Sequence, residues 1–209
     1  MKILITAGPT REKLDPVRYL TNRSTGKMGY ALARAAREAG HEVLLISGPT
    51  ALAQPENISF VSVESAAEMA DAVFEAFPRQ DMVIMAAAVA DYRPAQVEEQ
   101  KIKKQDGEFF LRLERTTDIL AGLGEKKAPG QTLVGFAAES ENLLDNALGK
   151  LERKNLDWIA ANSVADGFGT DTDTLHLLNR NGEKITLGPA SKETVAELLI
   201  EIVTNNTGN

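Results

Sequence analysis

The residues best suited to chemistry cluster early in the chain. Within DPVRYLTNRSTGKMG, residues 15–29, Arg18, Asn22, Gly26 and Lys27 bring a guanidinium, an amide, an unhindered backbone position and an ammonium into one short stretch. That combination suits an anionic substrate, because N–H donors and fixed positive charge hold a carboxylate or phosphate and stabilise charge developing on it. Two basic sets follow. Lys101, Lys103 and Lys104 form the run KIKK, and Lys150 and Lys154 stand four residues apart, the spacing of one helix face. Composition alone favours a solvated charge run for the first set, with a flap lysine closing on a bound anion as the functional reading. For the second set, basic residues in a last helical turn complement the helix dipole whether or not a polyphosphate lies across them. Asp91, just past an apolar run, fits a turn as well as it fits a ribose or metal contact.

Several familiar sites are missing from the sequence. A P-loop needs a glycine five residues before its Gly-Lys and a serine or threonine after it, whereas Gly26-Lys27 has Thr21 and Met28 in those places. A dinucleotide fingerprint needs G-x-G-x-x-G and an acidic residue closing the second strand, which here ends in Ser47-Gly48. Tyr19 and Tyr30 are followed at the Tyr-x-x-x-Lys spacing by Arg23 and Arg34, so the short-chain dehydrogenase pair is lacking as well. The chain has no cysteine, which removes disulfides, thiolate metal sites and a cysteine nucleophile, and makes a reducing cytoplasm the expected setting. His41 and His176 receive no role, and neither zinc-ligand spacing nor a Ser-His-Asp set is found. A net charge of −7 over 209 residues argues against a nucleic-acid partner. No run is long enough to span a bilayer and the N-terminus carries no cleavable signal pattern, so no membrane partner is expected.

These residues need elements to position them. Residues 3–5 read as a buried strand broken at Gly8-Pro9, followed by a long polar loop and a helix that enters near Ser24 and stops at Gly40. A strand at 42–47 ends in Gly48-Pro49-Thr50, the turn that also ends the first strand, which fits neighbouring parallel strands. Further strands read at 58–63, 82–88, 109–113, 132–138 and 157–161. Helices read after the Ser65–Glu68 capping box, from Thr117-Asp118 through Leu123, and across 139–154, where Leu143, Leu144, Ala147, Leu148 and Leu151 make an apolar face. Residues 92–107 read as a polar flap or loop and 162–173 as an irregular loop. A hairpin, 175–178 with 184–187, turns at Asn181-Gly182, and a last helix at 191–203 ends in a frayed polar tail.

The pattern predicts an α/β chain: a Rossmann-like, mostly parallel sheet with helices on both faces, plus the flap and the C-terminal β-hairpin, in a single domain over residues 1–209. Ligands of such sheets bind beyond the carboxyl ends of the strands, here Gly8, Gly48, 86–91, 136–139 and Asn162.

Several stretches together resemble one family, the phosphopantothenate cysteine ligases or phosphopantothenoylcysteine synthetases. They are ITAGPTRE with DPVRYLTNRSTGKMG, AAAVADYRP, KIKK, TDIL, VGFAAES, KLERKNLD with AAN, and GFGTDTDTLHLL, and they run through nearly the whole chain in the family's order. The resemblance implies an enzyme of coenzyme A biosynthesis that joins phosphopantothenate to L-cysteine through an acyl cytidylate, with CTP as co-substrate in the bacterial kind that VADYRP and KIKK resemble. It implies a catalytic role for Asn22, which matches the residue holding the intermediate, and for Lys101, the flap lysine of the cysteine-dependent half-reaction. Arg18, Gly26 and Lys27 fall in the substrate loop. Met85, Ala86, Ala87, Asp91, Thr117, Asp118, Ile119, Leu120 and Phe136 match the nucleotide site, and Lys150 and Lys154 its triphosphate ligands. Mg2+ with unidentified ligands, a homodimer joined through the hairpin, and a flavin-dependent decarboxylase half in a longer parent chain are implied in the same way. Two alternatives stay open, an ATP-using version of the ligase and a non-catalytic nucleotide-binding sensor. Two positions depart from the family pattern without an explanation: Thr116-Thr117-Asp118-Ile119 where Asn-Pro-Asp-Ile is common, and Asp173 where Asn is common.

Overall fold

Strand β1 (Lys2–Ala7) is buried at every position but its first, and its side chains alternate between two cores. Ile3, Ile5 and Ala7 enter one core and Leu4 the other. An unbroken apolar strand is therefore what a sheet covered on both faces requires. The parallel neighbours of β1 are β4 (Glu42–Ser47), buried apart from Glu42 and the half-buried Leu44, and β6 (Met82–Met85), buried throughout. The computed structural model describes residues 1–104, 106–139, 141–163 and 172–205. Much of the loop expected at 162–173, and residues 206–209 of the tail expected after 203, lie outside them.

Among the described residues, eight strands form the main sheet, in the order β12 (Lys184–Ser191), β11 (Thr172–Asn179), β10 (Trp158–Ser163), β9 (Thr132–Glu139), β6, β1, β4 and β5 (Ser59–Ser62). The outer parallel strands are β5, β9 and β10. The hairpin continues the sheet, with β11 antiparallel to β10 and β12 antiparallel to β11. Helix α1 (Lys27–Glu38) packs beside the final helix α5 (Lys192–Asn205) on one face, where Leu32 and Ala36 share a core with Leu199 and Val203. Helices α2 (Ala66–Ala76), α3 (Ile119–Lys126) and α4 (Leu143–Arg153) cover the other, with Met69, Val73, Leu123 and Leu151 around Leu4 and Val83.

The structure corrects several sequence expectations. The opening polar loop contains a two-stranded ribbon, β2 (Arg11–Lys13) with β3 (Tyr19–Thr21), tied back to the body by Glu12, whose Oε1 accepts the Ala66 N–H at 2.8 Å and so caps α2. Residues 109–113 are not the strand their aromatic run suggested. Phe109 and Phe110 are 62% and 84% exposed, and the pairing segment is β8 (Leu113–Arg115), which meets β7 (Tyr92–Pro94) inside the supposed loop. Aromatic content favours strands only where a partner ladder exists, and the ladder starts later, with Arg93 bonded to Glu114. The apolar run at 82–88 is continuous ladder only through Met85, with an isolated parallel bridge from Ala88 to Pro9, and α4 begins at Leu143 because β9 continues through Glu139. Leu148, expected on the inner face of α4, is exposed. Half of the capping box forms: Ser65 Oγ accepts the Glu68 N–H at 3.2 Å, while the Glu68 carboxylate takes the Glu64 N–H, one residue before the cap. The expected hairpin forms, and it is the edge of the main sheet, with Leu175, Leu177, Leu178 and Leu187 in the chain's own cores.

Candidate active site

A cavity of about 570 Å3 opens beyond the carboxyl ends of β6, β9 and β10 and the N-terminus of α1. Glycines bring that helix end close to the sheet. Gly26 caps α1 at φ 80°, in the left-handed region that glycine enters freely. A Cβ on Gly29 would lie 2.5 Å from the Ala7 Cβ, so only glycine allows α1 to rest on the end of β1 at this point. The first intrahelical bond is Tyr30 N–H to Gly26 O, and the first turn of the helix lines the cavity. A helix N-terminus carries partial positive charge and suits an anion.

The opposite wall is the segment after β6, held by hydroxyls. Thr6 Oγ1 accepts the Ala87 N–H at 3.1 Å, Thr10 Oγ1 accepts the Ala90 N–H at 2.9 Å, and Thr116 Oγ1 donates to Ala90 O at 2.6 Å. Asn22 Nδ2 donates to the carbonyls of Ala88 and Val89 at 3.1 and 3.3 Å. From the α4 side Lys150 Nζ donates to Phe136 O at 2.7 Å, and Lys154 Nζ pairs with Asp118 at 2.8 Å. Asp118 also caps α3 by accepting the Ala121 N–H at 3.0 Å. Partial burial pushes the Asp118 carboxyl up, but the bond from Lys154, the Ala121 N–H and the nearby Lys150 charge outweigh it and hold the group below its ordinary range.

The nucleotide residues implied by the resemblance, Met85, Ala86, Ala87, Asp91, Thr117, Asp118, Ile119, Leu120, Phe136, Lys150 and Lys154, line this one cavity, and so do Gly26 and Lys27. Arg18 and Lys101 are not among its lining residues, and Asn22 reaches it only through the carbonyls it holds. Arg18 turns instead to Asp15 and the carbonyl of Ile102. Among the described residues no three His, Asp or Glu side chains converge as a metal cage. A magnesium ion needs no such cage, since it keeps several waters and takes one or two carboxylates plus substrate phosphates. Asp91 and Asp118 are carboxylates on the cavity wall that fit this mode.

Residues 1–206 match the DFP family, the DNA/pantothenate metabolism flavoprotein C-terminal domain. The chain belongs to that family. The coenzyme A biosynthesis bifunctional protein CoaBC of Bacillus subtilis is 52% identical over 205 residues, 96% of this chain and 50% of its own length. A cysteine/cysteine sulfinic acid decarboxylase of an unknown prokaryotic organism is 44% identical over 209 residues, 97% of this chain and 58% of its own. The chain thus spans about half the length of the curated relatives it matches. A crystal structure of the C-terminal domain of a CoaBC protein superposes with a TM-score of 0.84 at 46% identity, covering 97% of this chain and 93% of that one. Among the described residues no helix is long and apolar enough to cross a membrane.

In this DFP domain the cavity has a corner that the motif reading did not assign. Asn162, at the end of β10, donates to both oxygens of Asp173 at 3.1 and 3.2 Å, and Lys192, at the start of α5, completes the lining there. Asp173 and Lys192 are only 4% and 5% exposed. Topology was the available signal. A hairpin added antiparallel to β10 brings the chain back to the carboxyl edge at Ser191, so the first residue of the next helix must stand at the site. The GFGTD segment, residues 167–171, lies outside the described residues.

Proposed function

We infer that this chain is a phosphopantothenate–cysteine ligase of coenzyme A biosynthesis, working in the cytoplasm with CTP and Mg2+. One observation carries the reading: the α1 N-terminus, the strand end gripped by Asn22, and the Lys150–Lys154 pair face one cavity in a member of a family with a relative named for coenzyme A biosynthesis.

A carboxylate is a poor electrophile, so the phosphopantothenate carboxylate oxygen first attacks the α-phosphorus of CTP. The bond to pyrophosphate breaks and an acyl cytidylate forms. This step brings two anions together, and Lys150 and Lys154 offset the repulsion and receive charge on the departing pyrophosphate. An ammonium has three donors, so the Asp118 contact of Lys154 still leaves it able to bond a phosphate oxygen. A magnesium ion bound with the nucleotide neutralises phosphate charge further. The cysteine amine then attacks the acyl carbon, the bond to CMP breaks, and the amine loses a proton. The neutral Asn22 amide holds the wall against which the oxyanion develops without adding a like charge, and Lys101 supplies an ammonium from the flap. No protein nucleophile is needed, consistent with a chain that has no cysteine.

The preference for CTP over ATP rests on the bacterial-type VADYRP and KIKK stretches. Decarboxylation, for which another relative is named, belongs with the length of those relatives outside the match. For the homodimer the ribbons are a second candidate contact beside the C-terminal hairpin. Among the described residues, Val17, Tyr19, Tyr92, Val97, Phe109, Phe110 and Leu113 are exposed large apolar side chains of the opening ribbon and the flap, and a second copy would cover them.

The test is a nucleotide comparison. Purified protein with phosphopantothenate, L-cysteine and Mg2+ is expected to release pyrophosphate and CMP with CTP, and far less product with ATP. Saturable CTP binding without product would favour the sensor reading, and absence of turnover with either nucleotide would end the ligase reading.

A further inference from the structure

Asp15 is a carboxylate only 3% exposed, in a turn whose next residues, Pro16 to Arg18, are open to solvent. It lies outside the cavity lining. Its Oδ1 accepts the backbone N–H groups of Val17 and Arg18, each at 2.8 Å. Those bonds are an ordinary Asx turn and would fold residues 15–18 without further help. Oδ2 does something a turn does not need. It accepts Arg18 Nε at 3.0 Å, a close contact from Arg18 Nη2, and the N–H of Ile102 at 3.1 Å, 87 residues away in the flap. Arg18 Nη2 closes the figure by donating to Ile102 O at 2.8 Å. The flap is fastened again on its other side, where Glu98 N–H donates to Leu14 O at 3.0 Å. Both peptide groups of the Ile102 backbone that could drift are thus held, and Lys101 stands exposed between the two fastenings.

We propose that Asp15 is a positioning residue: it latches the flap through Ile102 and Arg18 and thereby sets where Lys101 stands for the second half of the reaction. The proposal rests on the role given to Lys101 above. Asparagine at position 15 can keep the Asx turn through its carbonyl, but its NH2 meets the donors of Arg18 and Ile102 with a donor, and the latch opens. Arg18→Lys keeps a cation beside Asp15 but gives up the planar fork that bridges the carboxylate and the Ile102 carbonyl.

The experiment has two arms. Hydrogen–deuterium exchange on the full chain compares peptides covering residues 98–104 with peptides of β6 and β9. In Asp15→Asn the flap peptides lose protection while the sheet peptides keep theirs, and Arg18→Lys gives the same pattern more weakly. Should Asp15→Asn fail to fold, Ile102→Pro, which lacks the N–H that Oδ2 accepts, carries both arms, and Arg18→Lys is read for exchange only. The second arm separates the half-reactions. In Asp15→Asn, pyrophosphate release without cysteine stays close to wild type, whereas cysteine-dependent CMP release falls by about tenfold or more, as expected of a displaced catalytic group. Unchanged flap protection in a folded variant overturns the latch. Lost protection with CMP release intact, where Lys101→Ala slows it, overturns the positioning role. If the wild-type chain turns over neither nucleotide, the ligase reading fails and the exchange arm still decides the latch.

Discussion

The two sides of the candidate site are built differently. The wall over the sheet is made of strand ends whose backbones are pinned by Thr6, Thr10 and Thr116, in front of cores with fully buried Leu4, Ile84, Leu123 and Leu133. The ribbon and flap side consists of three-residue strands, exposed aromatics and a carboxylate latch. The first arrangement suits groups that must not move while charge develops. The second suits a part that must open to admit substrate and close over it. The proposed nucleotide residues stand on the rigid side and Lys101 on the movable one.

The largest effects are expected in the rigid half. Leu123→Ala removes a fully buried side chain between α3 and the sheet and is expected to cost about 2–5 kcal/mol, read as a lower urea midpoint at unchanged slope. Next come the lysines. Lys154→Ala is expected to slow pyrophosphate release by about 100-fold or more, as for loss of one charge-stabilising donor. Its melting temperature should barely change, because its partner Asp118 has a half-exposed side chain and exposed ion pairs contribute little. A large loss of stability in Lys154→Ala would show that the rigid wall depends on this pair and would blur the division.

Asn22→Asp tests the seam between the two halves. The carboxylate cannot donate to the Ala88 and Val89 carbonyls and adds a charge beside the developing oxyanion. Amide formation is expected to fall by about 10- to 100-fold, with activation less affected, in a comparison of CMP and pyrophosphate yields. Equal loss in both steps would place Asn22 with the rigid wall alone.

How much of this was legible in the sequence follows the same division. β1, β4 and β9 could be read because two-sided burial leaves a continuous apolar run. The ribbons could not, because a three-residue strand such as Arg11–Lys13 carries no periodicity and its buried Glu12 looks like surface. Phe109 and Phe110 misled, since composition reports what could pack and not what finds a partner. The motif resemblance named most of the cavity lining, and Lys192 was missed because no motif marks it and only the turn of the hairpin back to the carboxyl edge brings it there.

Acid acts on a carboxylate in each half. Asp15 is held well below the usual carboxylate range, first by Arg18 and then by backbone N–H groups, and Asp118 is lowered by Lys154 and Ala121 against its partial burial. A carboxyl that ionises more readily when folded contributes stability that is present above its unfolded pKa, near 4, and is lost as pH falls through its folded pKa. Descending from pH 5 to pH 2, the flap latch and the Lys154 pair are therefore expected to weaken together below about pH 4. Limited proteolysis across 95–112 should become faster in that range while tryptophan fluorescence from buried Trp158 stays native. A fluorescence change that precedes flap cleavage would reverse the assignment.

The smallest effect on stability is expected at Phe110, and it bears on what the movable side meets. At 84% exposure the ring has almost no packing to lose, so Phe110→Ser should shift the folding free energy by within about 0.5 kcal/mol at concentrations where the chain is monomeric. If a second copy covers the ribbons, the same substitution removes an aromatic anchor from the interface, where a buried side chain of this kind is worth about 2 kcal/mol or more. Sedimentation velocity across a concentration series should then show the wild type as a dimer and Phe110→Ser dissociating at concentrations roughly 30-fold higher or more. Large exposed apolar side chains such as this ring invite association. A wild type that stays monomeric throughout would leave the flap aromatics to a substrate or another protein and would make the movable half complete within one chain.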